Sequence, residues 1–168
     1  YGYLQSRDTN IVTYIDKLDE LARGLIDEIN KIHVNGQGLN GFSSMTSVNG
    51  VTDTTVALNN AGLDITPVDT SFDVTVYDST SGTSTTVTVT VDVSNDSLDE
   101  VADAINAALA AEGITEVAAS VDGTSKTLTI ASSDSSFTFT FENVTDDASN
   151  LLCALGMNTF FTGTDASD

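Results

Sequence analysis

Imidazole and thiol, the side chains that most often carry acid–base and nucleophilic chemistry at neutral pH, occur once each in this sequence, at His33 and Cys153. His33 sits beside an apolar helical position with no Ser, Cys or carboxylate singled out near it, so a surface or packing role is expected. Cys153 is the only cysteine, which excludes a disulfide framework and a thiolate metal cluster within the chain. Its setting, LLCALG, makes it a small buried apolar residue rather than a nucleophile. Acids are abundant, 25 against 5 bases, so paired carboxylates or oxygen ligands for calcium could arise in many places. Asp92, Asp96 and Asp99 surround a strand-to-helix turn, and Asp146 and Asp147 are adjacent. None reproduces the spaced-acid, glycine, glutamate pattern of a calcium loop, and no glycine-rich phosphate cradle occurs. Asn95 and Asn143 begin N-x-S/T triplets, which matter only in a secreted eukaryotic protein. The expectation is a solvated acidic surface, no catalytic residue, no metal ligand and no cofactor.

The elements that would position any site begin with Asp8 to Asn35. Ile11, Ile15, Leu18, Ala22, Leu25, Ile29 and Ile32 alternate steps of four and three, the spacing of a narrow apolar seam offered by one α-helix to another. Asp16, Lys17, Asp19, Glu20, Arg23, Asp27, Glu28 and Lys31 fall off the seam, where charge stays hydrated. Tyr14 and Leu21 form a second, weaker stripe, so several helical neighbours are expected. Asp8 or Thr9 could cap the start, and Gly36 and Gly38 could supply the stop. At 1.5 Å per residue such a helix would be on the order of 40 Å long, a strut rather than a compact-domain helix.

Residues 36–63, rich in Gly, Asn, Ser and Thr, read as a surface connector ordered in places by Phe42, Met45 and Val56. From Ser71 the period changes to two. Phe72, Val74 and Val76 alternate with polar residues, then STSGTS, then Val87, Val89, Val91 and Val93 in alternation with Thr and Asp, which describes a hairpin with one dry and one wet face. Ser97 and Glu100 form a capping box before Leu98, Val101, Ala102, Ile105, Ala108 and Leu109, and Gly113 ends that helix. Three more strands come next, over 115–121, 126–132 after Asp122-Gly123, and 136–143 with Phe137, Phe139 and Phe141 on one side. Ala148, Leu151, Leu152 and Leu155 return to helical spacing before Gly156. The expected fold class is α+β: a long helical-bundle segment (1–63, with its connector), an inserted two-layer β-β-α-β-β-β module (64–145), and a return to the helical domain (146–168).

Charge is uneven. The formal net charge is −20, and Lys126 is the only base after Lys31, a surface that would repel nucleic acid and anionic lipid. No apolar run approaches the ~18 residues of a membrane span. Without an initiating Met or a basic-then-apolar leader, the chain is expected to be an internal piece of a longer protein.

The first helix together with the glycine-rich loop after it, YIDKLDELARGLIDEINKIHVNGQGLNG, resembles the flagellar hook-associated protein 1 family, the first hook–filament junction protein of bacteria. The resemblance extends to NNAGLDIT, SFDVTVYDSTSG, SLDEVADAINAALA, VAASVDGTSKTLTIAS and LLCALGMNTFFTGTDASD. The two end motifs are its most specific parts, because the IN motif of the middle helix recurs in flagellins and filament-cap proteins. The resemblance implies a non-enzymatic structural adapter, exported through the flagellar type III channel to the cell exterior. It implies a ring of neighbouring copies at the hook–filament junction, touching the hook protein and the second junction protein. Helical ends would belong to a bundle near the tube wall, with the β module facing outward. The alternatives are another flagellar axial protein (flagellin or filament cap) or an extracellular adhesin or carbohydrate-binding module, which the lack of Trp disfavours.

Overall fold

A computed structural model describes residues 2–36, 40–147 and 149–161. The expected stop at Gly38, the apolar position Ala148 and the tail 162–168 lie outside the described residues. The chain is α+β, with two small antiparallel sheets.

Helical structure begins earlier than the capping residues suggest. Helix α1 (Gly2–Gln5) runs through a π-helical stretch (Ser6–Ile11) into α2 (Val12–His33). Thr9 therefore caps nothing; its carbonyl accepts a bond from the Thr13 hydroxyl at 2.7 Å, because the upstream residues continue the helical ladder. The far end stops near the expected place, with the Gly36 N–H donating to the His33 carbonyl at 2.8 Å.

The period-two segments pair as a hairpin, β2 (Thr70–Asp78) with β3 (Thr83–Val91), in a register that sets Phe72 opposite Val89 and Val74 opposite Val87. Strand β6 (Phe137–Glu142) adds to the other side of β2, placing Phe141 opposite Val74. Phe72, Val74, Val87, Val89, Phe139 and Phe141 are all buried, and the wet face carries Thr75–Thr86 and Thr88–Asp73 hydroxyl contacts. The remaining strands form a separate sheet, β1 (Ser44–Thr46), β5 (Leu128–Ser132) and β4 (Val117–Val121), with β5 central. Helix α3 (Leu98–Ala111) packs against β3 of one sheet and β4 of the other. It thus closes a core between them through Leu98, Val101, Ile105 and Leu109.

Both ends of α3 are set locally. Ser97 and Glu100 exchange the two bonds of the capping box. At the other end the Ile114 N–H reaches the Leu109 carbonyl and Gly113, at φ 76°, turns the chain, which is the glycine-dependent Schellman closure. Asn106 extends the helix sideways, donating to the Ala119 carbonyl at 2.9 Å and accepting from the Ala119 N–H at 2.8 Å. The IN motif is thereby a buried Ile105 beside an amide that grips β4.

Two segments differ from expectation. The polar stretch after Gly36 is no surface connector: Phe42 pairs with Phe139, β1 with β5, and Val51, Leu58 and Ala61 are buried. The last apolar stripe yields only one helical turn, α4 (Leu151–Ala154), and its Leu151, Leu152, Leu155 and Met157 enter the same core as the sheets. Asn49 holds it there, its side chain donating to the Ala154 carbonyl and its N–H to Leu155.

Candidate functional site

Helix α2 divides lengthwise. Arg23, Asp27, Asn30 and Val34 recur at helical spacing along one face. Val34 is fully buried, and Arg23 and Asp27 line a cleft of about 410 Å³ with Asp64, Ile65 and Ser149. The cleft raises the Asp27 carboxyl above its ordinary value, chiefly by desolvation, with Arg23 opposing.

Asn30 is the centre of the attachment. Its carbonyl oxygen accepts the N–H groups of Phe160 and Phe161 at 3.0 and 2.8 Å, and its amide donates to the Phe161 carbonyl at 2.9 Å. One side chain thus reproduces a strand-like exchange with the returning chain. Asn158, in the left-handed region at φ 52°, donates to the carbonyls of His33, Val34 and Gly36. It thereby serves the acceptors that a helix end leaves open. Lys31 reaches Glu28 at 3.3 Å and Asp146 at 3.4 Å, and hydrogen bonds to these two, Glu28 first, raise its pKa.

The opposite side of α2 is bare. Of the seven seam residues, Ile11, Ile15, Leu18, Leu25 and Ile32 are 50–71% exposed, and only Ala22 and Ile29 are half-buried. Tyr14 and Leu21, expected as a lesser stripe, join Leu18 and Leu25 as the outward face, at 65% and 69% exposure. No element among the described residues covers it. Seven large apolar side chains thus stand exposed along one helix, and they are the candidate association surface, since isolated exposed apolar residues are common but a continuous stripe is not.

The residues weighed for chemistry go elsewhere. His33 donates from Nδ1 to the Asn158 carbonyl at 2.9 Å and lies against the Phe160 ring. Asp92 accepts from Ser94 and Asn95, which lowers its pKa, the Ser94 hydroxyl contributing most. Asp96 accepts the Asp92 N–H and Asp99 the Thr54 hydroxyl. Asp92 and Asp96 therefore brace one turn between them, while Asp99 ties the start of α3 to Thr54. No group of three His, Cys, Asp or Glu side chains among the described residues is placed to hold a metal. Cys153 is buried beside Asn150, and burial pushes its thiol up to about 11. No helix among the described residues is long and apolar enough to cross a membrane.

The sequence reading missed Asn30 and Asn158. The available signal was compositional: an amide inside a helix otherwise made mostly of Ile, Leu and charged residues opposes helix propensity, and such a residue is commonly retained for a bond it makes. Compared with known protein families and with characterised proteins, the chain matches none.

Proposed function

We propose that the chain is a structural adapter of the bacterial flagellum, a subunit of the junction ring between hook and filament. The observation that carries this reading is the bare apolar stripe on a long helix that polar bonds tie firmly to a compact α+β body. An element so built is suited to assembly with other helices, and its orientation is fixed by the body it is tied to. The end motifs resembling the hook-associated protein 1 family supply the identity of the assembly. In the intact protein the stripe lies in a helical bundle, the α+β body is an insertion facing outward, and neighbouring copies, the hook protein and the second junction protein are the partners. The reading makes the protein extracellular and assigns it no reaction. A net charge of −20 supports solubility and keeps outward modules of adjacent copies apart.

The test is immunogold electron microscopy of detached flagella with an antibody raised against residues 64–145. The expected result is label in a narrow band between hook and filament. Label along the filament or at its tip would assign the chain to flagellin or the cap, and label on the cell body would favour an adhesin.

A further inference from the structure

The edge of a sheet carries unpaired N–H and C=O groups, and natural chains blunt such edges. Among the described residues, three of the four sheet edges are blunted. Phe42 exchanges two backbone bonds with Phe139, at 2.7 and 2.9 Å, and so covers β6. On β4 the Asn106 side chain takes both the N–H and the C=O of Ala119. Strand β1 is only three residues long. The fourth edge, β3, is nine residues long, pairs with β2 without a bulge, and contains neither a charge nor a proline. No described residue pairs with its outer side. The ladder decides which groups face outward. Ser79 donates its N–H to the Ser136 carbonyl at 2.9 Å, so Asp73, Thr75 and Tyr77 bond to β6 and the residues between them bond to β3. In a register that sets Val74 opposite Val87, the odd-numbered residues of β3 then face β2. Ser84, Thr86, Thr88 and Thr90, all exposed, direct their N–H and C=O groups past the edge.

We infer that this edge takes an extended segment of another protein as an added strand, a segment uncharged over its middle and carrying a Lys or Arg at each end. In strand addition the main-chain bonds supply attachment and the side chains supply the choice of partner. From Ser79 to Val91 no residue is charged, so the middle of an incoming strand meets Thr and Ser hydroxyls and backbone. The ends differ. Asp78 closes the hairpin opposite Thr83 at one end of β3, and Asp92 with Asp96 stands at the other. Roughly 27 Å of strand separates these ends at about 3.4 Å per residue, so one extended segment spans both. No nearby base offsets the acids, because Lys126, the only base after Lys31, reaches back to the Thr52 carbonyl. A second copy laid on the same edge, in either direction, would set acid against acid at both ends, and an acidic peptide would do the same. A basic-ended strand finds complementary charge at both.

The test is amide hydrogen exchange of the 168-residue chain, followed by NMR, with a synthetic peptide as long as β3, alternating Thr and Val and ending in Lys on both sides. At saturating peptide the amides of Ser84, Thr86, Thr88 and Thr90 should exchange roughly tenfold more slowly. Those of Thr85, Val87 and Val89, already bonded to β2, should not change. The same peptide with Glu at both ends should bind roughly tenfold more weakly. Thr86→Pro removes one outward N–H and leaves the bonds to β2 in place, so it should lower affinity by roughly tenfold, whereas Thr86→Val, which keeps the N–H, should not. If Thr86→Pro fails to fold, Thr90→Pro, near the end of the strand, makes the same cut. Unchanged exchange at the four amides overturns the inference, as does equal affinity for the Glu-ended peptide or in the folded proline variant. Protection of those amides without peptide, growing with protein concentration, would assign the edge to a second copy and overturn it as well. The inference stands apart from the junction reading, because gold labelling does not depend on what β3 binds.

Discussion

Replacing Asn30 by alanine tests whether the polar latch fixes α2 to the body. The side chain is 7% exposed and makes three hydrogen bonds. Alanine leaves the N–H groups of Phe160 and Phe161 and the Phe161 carbonyl without that partner. A buried polar group stripped of its partner costs ~1–3 kcal/mol, and exposed Phe160 can turn to water, so the low end applies, about 3 kcal/mol over the three groups. Alanine also improves helix propensity by up to ~0.7 kcal/mol, leaving a net loss of about 2 kcal/mol. In a chain of this size that lowers the melting temperature by roughly 4–8 °C if the latch is part of the cooperative unit. Urea denaturation followed by circular dichroism measures the loss, and hydrogen exchange at the Phe160 and Phe161 amides localises it. Glu20→Ala, on the exposed side of the same helix, provides the propensity gain alone. If Asn30→Ala proves as stable as Glu20→Ala, with the two amides still protected, the latch is not what holds the helix.

Two further predictions concern titration and reactivity. Asp122 accepts the N–H groups of Ser125 and Thr124, and these bonds, the Ser125 amide first, hold its carboxyl below the ordinary 3.8. A depressed folded pKa contributes stability that is present above the unfolded value and lost as pH falls through the folded one. Melting temperature against pH should therefore decline below about pH 4 less steeply in Asp122→Asn than in the unaltered chain; equal slopes would remove this turn from the acid response. The Cys153 thiol, buried and raised to about 11, should resist a disulfide reagent at pH 8 in the native chain and react fully in urea. Rapid native labelling would place it at the surface.

What the sequence disclosed is what is decided within a few residues. The period-two runs at Phe72 and Val87, the capping box at Ser97 and the stop at Gly113 are local, and all stand where their residues indicated. The division of the strands between two sheets was not legible, because the pairing of β6 with β2 and of β1 with β5 is decided by long-range contacts that leave no local period. The burial of Val51, Leu58 and Ala61 was hidden for a related reason: single apolar residues among Asn, Thr and Gly show no periodicity, yet each finds a place between distant elements. The seam shows the reverse failure. Its period was plain and the helix is there, but amphipathic spacing identifies a face that needs a partner without showing that this chain contains one.

The two sides of α2 are held by different forces, and the difference bears on how an assembly could use it. Apolar contact is non-directional and tolerates sliding, so the outward stripe alone would leave a docked helix free to shift. On the inner side, Asn30 and Asn158 bind backbone groups at fixed geometry, and a shift of one residue would break every one of those bonds. The body is therefore locked in rotation and register to the helix that carries the stripe. Whatever helix covers that stripe then fixes the orientation of the whole α+β body relative to its neighbours. An apolar residue of equal size at Asn30 would retain burial but surrender this directionality. Asn30→Leu should thus preserve compactness by sedimentation velocity while broadening the backbone resonances of residues 158–161, and sharp, unshifted resonances there would show that packing alone sets the angle.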